Sequence, residues 1–109
     1  MATEPALLGE FEQMVLLAVL QAGDRAYGIS VHEELKRRAR RRVALGAVYM
    51  TLDRLEKKGL LSSTLSEPLA ERGGRARRCY TVTRPAMTAL RASRAALMSL
   101  WSGLRLAEK

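Results

Sequence analysis

The chain has 109 residues, of which 48% are hydrophobic and 5% aromatic, and its formal net charge is +8 at pH 7. This length suits one compact domain, so no separate catalytic domain is expected. The longest apolar run, residues 14–20, is well below the roughly 20 residues that cross a bilayer, and acidic residues precede it where a secretory signal would be basic. The single cysteine, Cys79, allows no intramolecular disulfide. These features predict a cytoplasmic protein without a membrane partner.

The basic residues are concentrated in two stretches of the chain. Acidic residues dominate positions 1–34, whereas positions 36–42 are almost entirely basic and further arginines lie within positions 72–84. Two basic surfaces of this kind are typical of a protein that binds a polyanion. Charge alone leaves nucleic acid, an anionic membrane surface and simple solubility as alternatives.

The first part of the chain predicts two helices. Apolar residues recur at helical spacing over residues 9–22, and Gly23 supplies a C-terminal stop. Residues 27–41 carry an i, i+4 apolar stripe, and Ser30 with Glu33 has the spacing of a capping box. The second helix is therefore expected to be amphipathic and to end in basic residues.

The segment GAVYMTLDRLEKKGL, residues 46–60, is the most informative part of the sequence. Val48, Leu52 and Leu55 fall on one helical face, and Gly59 follows as a stop. This pattern predicts a short amphipathic third helix that is basic on its free side. The free side carries Ala47, Met50, Arg54 and Lys57, with Tyr49 near the boundary.

Two strands are expected after the third helix. Residues 60–66 and 77–83 lose the helical period, and the second of these runs alternates. The connection between them contains Pro68 and a pair of glycines, which predicts an antiparallel hairpin with a flexible, basic loop, a wing. A very short strand is also predicted at residues 43–44.

The C-terminal stretch predicts a long helix over residues 86–106, with Thr83 as N-cap and Pro85 in the first turn. Its apolar stripe is close to a heptad seam. Such a stripe after a complete small domain is expected to pack on the first helix, on a second copy of the chain, or on both. The stripe consists of Met87, Leu90, Leu97, Trp101 and Leu104.

The residue types available disfavour an enzyme. The chain has one His and one Cys, and it lacks a serine elbow, a phosphate-cradling glycine loop and a helical metal motif, so no nucleophile has an evident base. His32 lies beside Glu33 and Glu34 but has no second His or Cys nearby. We therefore expect no metal site and no cofactor.

The predicted order of elements is that of a winged helix-turn-helix fold, mainly α with a small β-hairpin (α+β). Three segments, AYGISVHEEL, GAVYMTLDRLEKKGLL and ERGGRARRCYTVT, resemble in order and spacing the signature blocks of PadR-type transcriptional regulators. The resemblance covers nearly the whole chain. It implies a winged helix-turn-helix DNA-binding domain over residues 1–84 and, as in the family's short-tailed group, one C-terminal dimerisation helix over residues 85–109. The chain departs from the family pattern before the third helix, where Ala44 and Leu45 replace the usual side-chain cap.

The resemblance implies a sequence-specific regulator, most simply a dimeric repressor on an inverted-repeat operator. In this fold the third helix enters the major groove of double-stranded DNA and the wing reaches flanking phosphates. The expected DNA contacts are Tyr49, Met50, Arg54 and Lys57 on the third helix, Arg72, Arg75 and Arg77 on the wing, and Arg38, Arg41 and Arg42 at the end of the second helix.

Several of these assignments have plainer alternatives. Tyr49 could be a half-buried helix aromatic, and Arg54 and Lys57 could be solvated helix charges. The apolar stripe would form the homodimer interface, where Trp101 either packs or, as in some short-tailed members of the family, lines a pore that accepts a flat, hydrophobic effector. The alternative function is a winged-helix module that binds another protein or coats DNA without sequence preference.

Overall fold

The computed structural model describes residues 7–65 and 77–105. Three helices are followed by a two-stranded antiparallel hairpin and a fourth helix, which confirms the predicted winged helix-turn-helix fold. The helices are α1 (Glu10–Ala22), α2 (Gly28–Arg38), α3 (Leu45–Lys57) and α4 (Arg84–Trp101), the strands are β1 (Leu61–Leu65) and β2 (Arg78–Val82), and a 3-10 turn, Gly23–Arg25, follows α1.

The core lies where α1, α2 and α3 meet the inner face of the hairpin. Val48, Leu52 and Leu55 have no exposed surface, so the predicted apolar face of the third helix is confirmed. They pack with buried residues of α1 and α2 such as Leu16 and Leu35. Each buried side chain of this size contributes about 1.5 to 3 kcal/mol from removal of apolar surface from water. The packing fixes which side of α3 faces outward.

The α2 boundaries differ from the sequence prediction. The helix begins at Gly28 after Tyr27, without a side-chain cap, so the predicted capping box of Ser30 and Glu33 is wrong. It ends at Arg38 because Arg40 adopts a left-handed backbone conformation, with φ of 54°.

The connection from α2 to α3 has no strand at residues 43–44, contrary to the prediction. The carbonyl of Val43 instead accepts a hydrogen bond from Nε2 of His32 at 2.8 Å, and Ala44 is the N-cap of α3 without a side-chain hydrogen bond. Arg41 and Arg42 therefore lie in this connection rather than on a helix.

The hairpin matches the prediction to within about one residue at each end. Ser63 is opposite Tyr80 and Leu65 is opposite Arg78 in the antiparallel register. Tyr80 is buried against the helices, and its amide donates to the carbonyl of Ala26, which fixes the hairpin to the turn before α2. The predicted wing residues Arg72 and Arg75, with the rest of the loop, lie outside the described residues.

Among the residues that the structure describes, the contacts that bury α4 are made by its first turns. Thr83 occupies the N-cap position, but its hydroxyl donates to the carbonyl of Gly59 instead of to the helix's own amides. Ala86, Ala89 and Leu90 are buried, whereas every residue from 94 to 105 is exposed. The helix ends at Trp101, so the predicted extension to residue 106 is wrong and Leu104 lies beyond the helix.

Candidate nucleic-acid interface

The outward side of α3 carries the residues that the sequence placed there. Met50 is 70% exposed and Tyr49 is 44% exposed, while Arg54 and Lys57 are also exposed. Asp53 shares this side and forms an ion pair with Lys57 at 3.0 Å. The predicted basic character of this side is therefore partly neutralised. Exposed pairs of this kind contribute little to stability, so Lys57 can exchange Asp53 for a phosphate at low cost.

Glu12 connects the beginning of α1 to the end of α3. Its carboxylate accepts hydrogen bonds from Nζ of Lys58 at 2.8 Å, from Nε of Arg54 at 3.5 Å and from the amide of Gly9 at 3.1 Å. The residue is only 8% exposed. The hydrogen bond from Lys58 holds the pKa of Glu12 below its ordinary value, against the opposing effect of burial. Arg54 is thus held on the flank of α3, and no local sequence pattern indicated this partner.

We expect Glu12→Gln to lower the free energy of unfolding at pH 7 by about 1.5 kcal/mol, the scale of a hydrogen bond to a charged group. Because folding lowers the pKa of Glu12 from 4.5, this stabilisation is complete above that value and is lost as pH falls through the lower folded-state pKa. Urea denaturation of wild type and Glu12→Gln at pH 7 and pH 3 measures this difference in the free energy of unfolding. The control, Glu10→Gln, removes an exposed pair with Arg41 and should change stability by less than about 0.5 kcal/mol. Equal losses for Glu12→Gln at both pH values would contradict the charge-based explanation.

Tyr49 packs against the backbone of α2. Gly28 is buried beneath its ring, so a Cβ atom at position 28 would overlap the ring carbons and lie 2.7 Å from the hydroxyl oxygen. Tyr49 is thus a half-buried helix aromatic whose remaining surface is open to a partner. The Tyr-Gly pair in AYGIS has a steric meaning here, because only glycine leaves room for this aromatic residue. The sequence did not indicate which side chain required the glycine.

Of the three wing arginines predicted as DNA contacts, Arg77 lies within the described residues, and it contacts Tyr27, the N-cap of α2. The guanidinium of Arg77 lies over the ring of Tyr27, 4.3 Å from its centroid. This cation–π contact places a positive charge beside the N-terminus of α2. DNA contacts by Arg72, Arg75 and Arg77 stay predictions.

The basic end of α2 is divided between paired and unpaired cations. Arg37 and Arg38 both bind Glu34, and Arg41 binds Glu10 at 3.3 Å. Of the three arginines predicted here as DNA contacts, Arg38 and Arg41 therefore have carboxylate partners. Within residues 7–65 and 77–105, no ion pair is formed by Lys36, Arg40 or Arg42.

The predicted apolar stripe of α4 has two parts. Leu90 is buried in the core of the chain, and Met87 packs partly against the core. Leu97 and Trp101 are 50% and 51% exposed, and Leu104 is exposed beyond the helix end. The exposed part borders an open groove of about 510 Å³ between α1 and α4. The groove is lined by Gln13, Leu17 and Leu20 of α1 and by Met87, Leu90, Arg91, Arg94, Leu97, Met98 and Trp101 of α4.

The part of the chain that the structure describes contains no group of three or more His, Cys, Asp or Glu side chains placed to hold a metal ion. None of its helices combines the length and hydropathy needed to cross a membrane.

Three helices, of which the third has an outward-facing side, and a hairpin define a winged helix-turn-helix protein. The family model described as the transcriptional regulator PadR-like family matches residues 16–92. The chain belongs to this family, which is one of transcription regulators and not of enzymes.

Solved structures agree with this assignment. A PadR-like transcription factor from Bacteroides fragilis is 29% identical with a TM-score of 0.69, covering 83% of this chain and 82% of that one. A PadR family regulator from Eggerthella lenta is 25% identical with a TM-score of 0.67, covering 86% and 81%. The Orc1 protein of Aeropyrum pernix, solved in complex with DNA, is 20% identical with a TM-score of 0.62, covering 84% of this chain and 26% of that one, and it shows the fold alone. No match was found among the curated proteins.

Proposed function

We propose that the protein is a sequence-specific, dimeric repressor that binds an inverted repeat in double-stranded DNA through α3. The outward side of α3 carries this proposal, because Tyr49, Met50 and Lys57 are exposed beside a basic turn while the opposite side is locked into the core. A helix presented in this way fits the major groove. Family membership and the fold shared with a protein solved on DNA support the assignment.

The proposed dimer forms through α4. Its second half carries Leu97, Met98, Leu100 and Trp101 as exposed apolar side chains. A second copy of the chain would remove this surface from water, which is the usual reason for a contiguous exposed apolar patch. Residues 85–109 would then serve dimerisation and residues 1–84 DNA binding, within one cytoplasmic regulator.

A small, hydrophobic effector would bind in the groove between α1 and α4. The volume of about 510 Å³ lies within the range of small-molecule sites, and Trp101 offers a flat apolar surface. Binding there would change how the two α4 helices pack and hence the spacing of the two α3 helices.

Selection of genomic DNA fragments by the purified protein, followed by footprinting, tests the function. Two α3 helices related by a dyad must enter successive major grooves on one side of the duplex, so the protected half-sites are expected about one helical turn apart. Preference for this site over unrelated DNA should be on the order of 10³ or more. Half-sites separated by about half a turn would contradict the docking. Equal affinity for all DNA would favour a coating protein, and no DNA binding would favour a protein-interaction module.

A further inference from the structure

A concave, positively charged pocket lies at the turn between α2 and α3. It has a volume of about 370 Å³ and is lined by His32, Lys36, Arg41, Arg42 and Val43. Its lining includes two cations that form no ion pair within the described ranges, 7–65 and 77–105. Concentrated positive charge without a carboxylate partner costs folding energy through repulsion. An anionic ligand would remove that cost.

The backbone of the turn contains one residue in the left-handed conformation. Arg40 has φ of 54°, a conformation that is unfavourable for any residue with a Cβ atom. The turn brings the amide of Arg41 back to the carbonyl of Leu35 at 3.2 Å, so Arg41 and Arg42 lie beside the last turns of α2. Strain that is kept in a native structure often marks a functional site.

One side-chain contact fixes the shape of the pocket, and a second pairs one of its cations. Nε2 of His32 donates to the carbonyl of Val43 at 2.8 Å and fixes the chain as it enters α3. Arg41 is held by Glu10 at 3.3 Å, through a pair in which both side chains are largely exposed. Lys36 and Arg42 therefore supply the charge that remains for a ligand.

We propose that this pocket binds a phosphate group of the DNA backbone next to the major groove that α3 enters. Arg42 lies only a few residues before α3 begins at Leu45, so a phosphate held here would be adjacent to that groove. Arginine and lysine together suit a phosphate, through directed hydrogen bonds and a point charge. This inference rests on the proposed function, adds Lys36 to the predicted contacts and gives His32 the role of positioning the turn.

The test compares wild type with a double variant that carries both Lys36→Gln and Arg42→Gln. Both side chains are exposed, so the variant is expected to fold. Affinity should fall by about tenfold or more for the operator and for scrambled duplex alike, because a phosphate carries no sequence. The log-log slope of affinity against salt should be shallower by about 1 per protomer, for one lost phosphate contact.

Two control variants separate the pocket from its surroundings. Arg37→Gln removes a neighbouring cation that is paired with Glu34 and does not line the pocket, so affinity should change less than about twofold. Arg40→Gly should raise the Tm by a few degrees and leave binding unchanged, because glycine adopts this backbone conformation without penalty. A loss of binding for Arg40→Gly equal to that of the double variant would place the contact on Arg40 and overturn the pocket assignment.

The remaining outcomes distinguish this inference from the proposed function. If wild type binds an operator and the double variant keeps the same affinity and salt slope, the phosphate assignment of the pocket is wrong and the proposed function stands. No binding of wild type to any duplex would overturn both. If inorganic phosphate, at matched ionic strength, raised the Tm of wild type but not of the double variant while the DNA salt slope stayed unchanged, the pocket would be a free-anion site, and the DNA assignment would be wrong.

Discussion

Changing Leu97 and Trp101 together to glutamate is expected to convert the proposed dimer to monomers and to abolish tight operator binding. Both side chains are about half exposed in the isolated chain, at 50% and 51%, so charged replacements should cost the folded monomer little. In a dimer the same charges would be removed from water within an apolar seam, which is strongly unfavourable. Separate protomers lose the advantage of binding two half-sites at once, so operator affinity should fall by about 10² or more.

Sedimentation at micromolar concentration measures the assembly state, and titration of the operator measures the loss of binding. The matched control changes Ala96 and Ser99 to glutamate, because these exposed residues lie in the same turns of α4 but do not line the groove. That variant should remain dimeric. A wild-type protein that sediments as a monomer would overturn the α4 interface, and a dimer that survives the Leu97 and Trp101 changes would move the interface elsewhere.

The spacing of apolar residues along the sequence predicted the helices that have one buried side. The buried positions Val48, Leu52 and Leu55 follow from helical spacing alone, because one apolar side of a short helix can only face the core. The hairpin was found because strand alternation and turn residues are equally local signals. The order of elements then sufficed for the fold class.

Contacts between distant residues were the part that local pattern could not supply. Glu12 and Lys58 are 46 positions apart, and nothing in either segment indicates that they meet. The early end of α2 follows from the left-handed conformation of Arg40, a position where glycine or asparagine would have been the recognisable signal. Periodicity therefore placed Tyr49, Met50, Arg54 and Lys57 on a helix, whereas Arg41 and Arg42 lie in the connection after α2. The pairing of these charges was not predicted.

Gly28→Ala is expected to destabilise the protein by about 1 to 3 kcal/mol, the usual cost of overpacking. Gly28 is buried in the first turn of α2, and its φ is not positive. Alanine is favoured over glycine in a helix by up to about 1 kcal/mol, so local preference predicts the opposite sign. The added methyl group would overlap the ring of Tyr49. The ring must then leave α2, which would also displace a predicted DNA contact and weaken operator binding.

The steric explanation is tested by combining Gly28→Ala with Tyr49→Ala and comparing urea denaturation of both single variants and the double variant. Without the ring, the methyl group meets no obstacle from residue 49, so Gly28→Ala should become neutral or stabilising in the Tyr49→Ala background. Gly46→Ala, in the first turn of α3, is the matched control because a Cβ atom there has no neighbour within 4 Å, and it should stabilise by up to about 1 kcal/mol. Additive effects of the two substitutions would show that Gly28 is needed for some reason other than Tyr49.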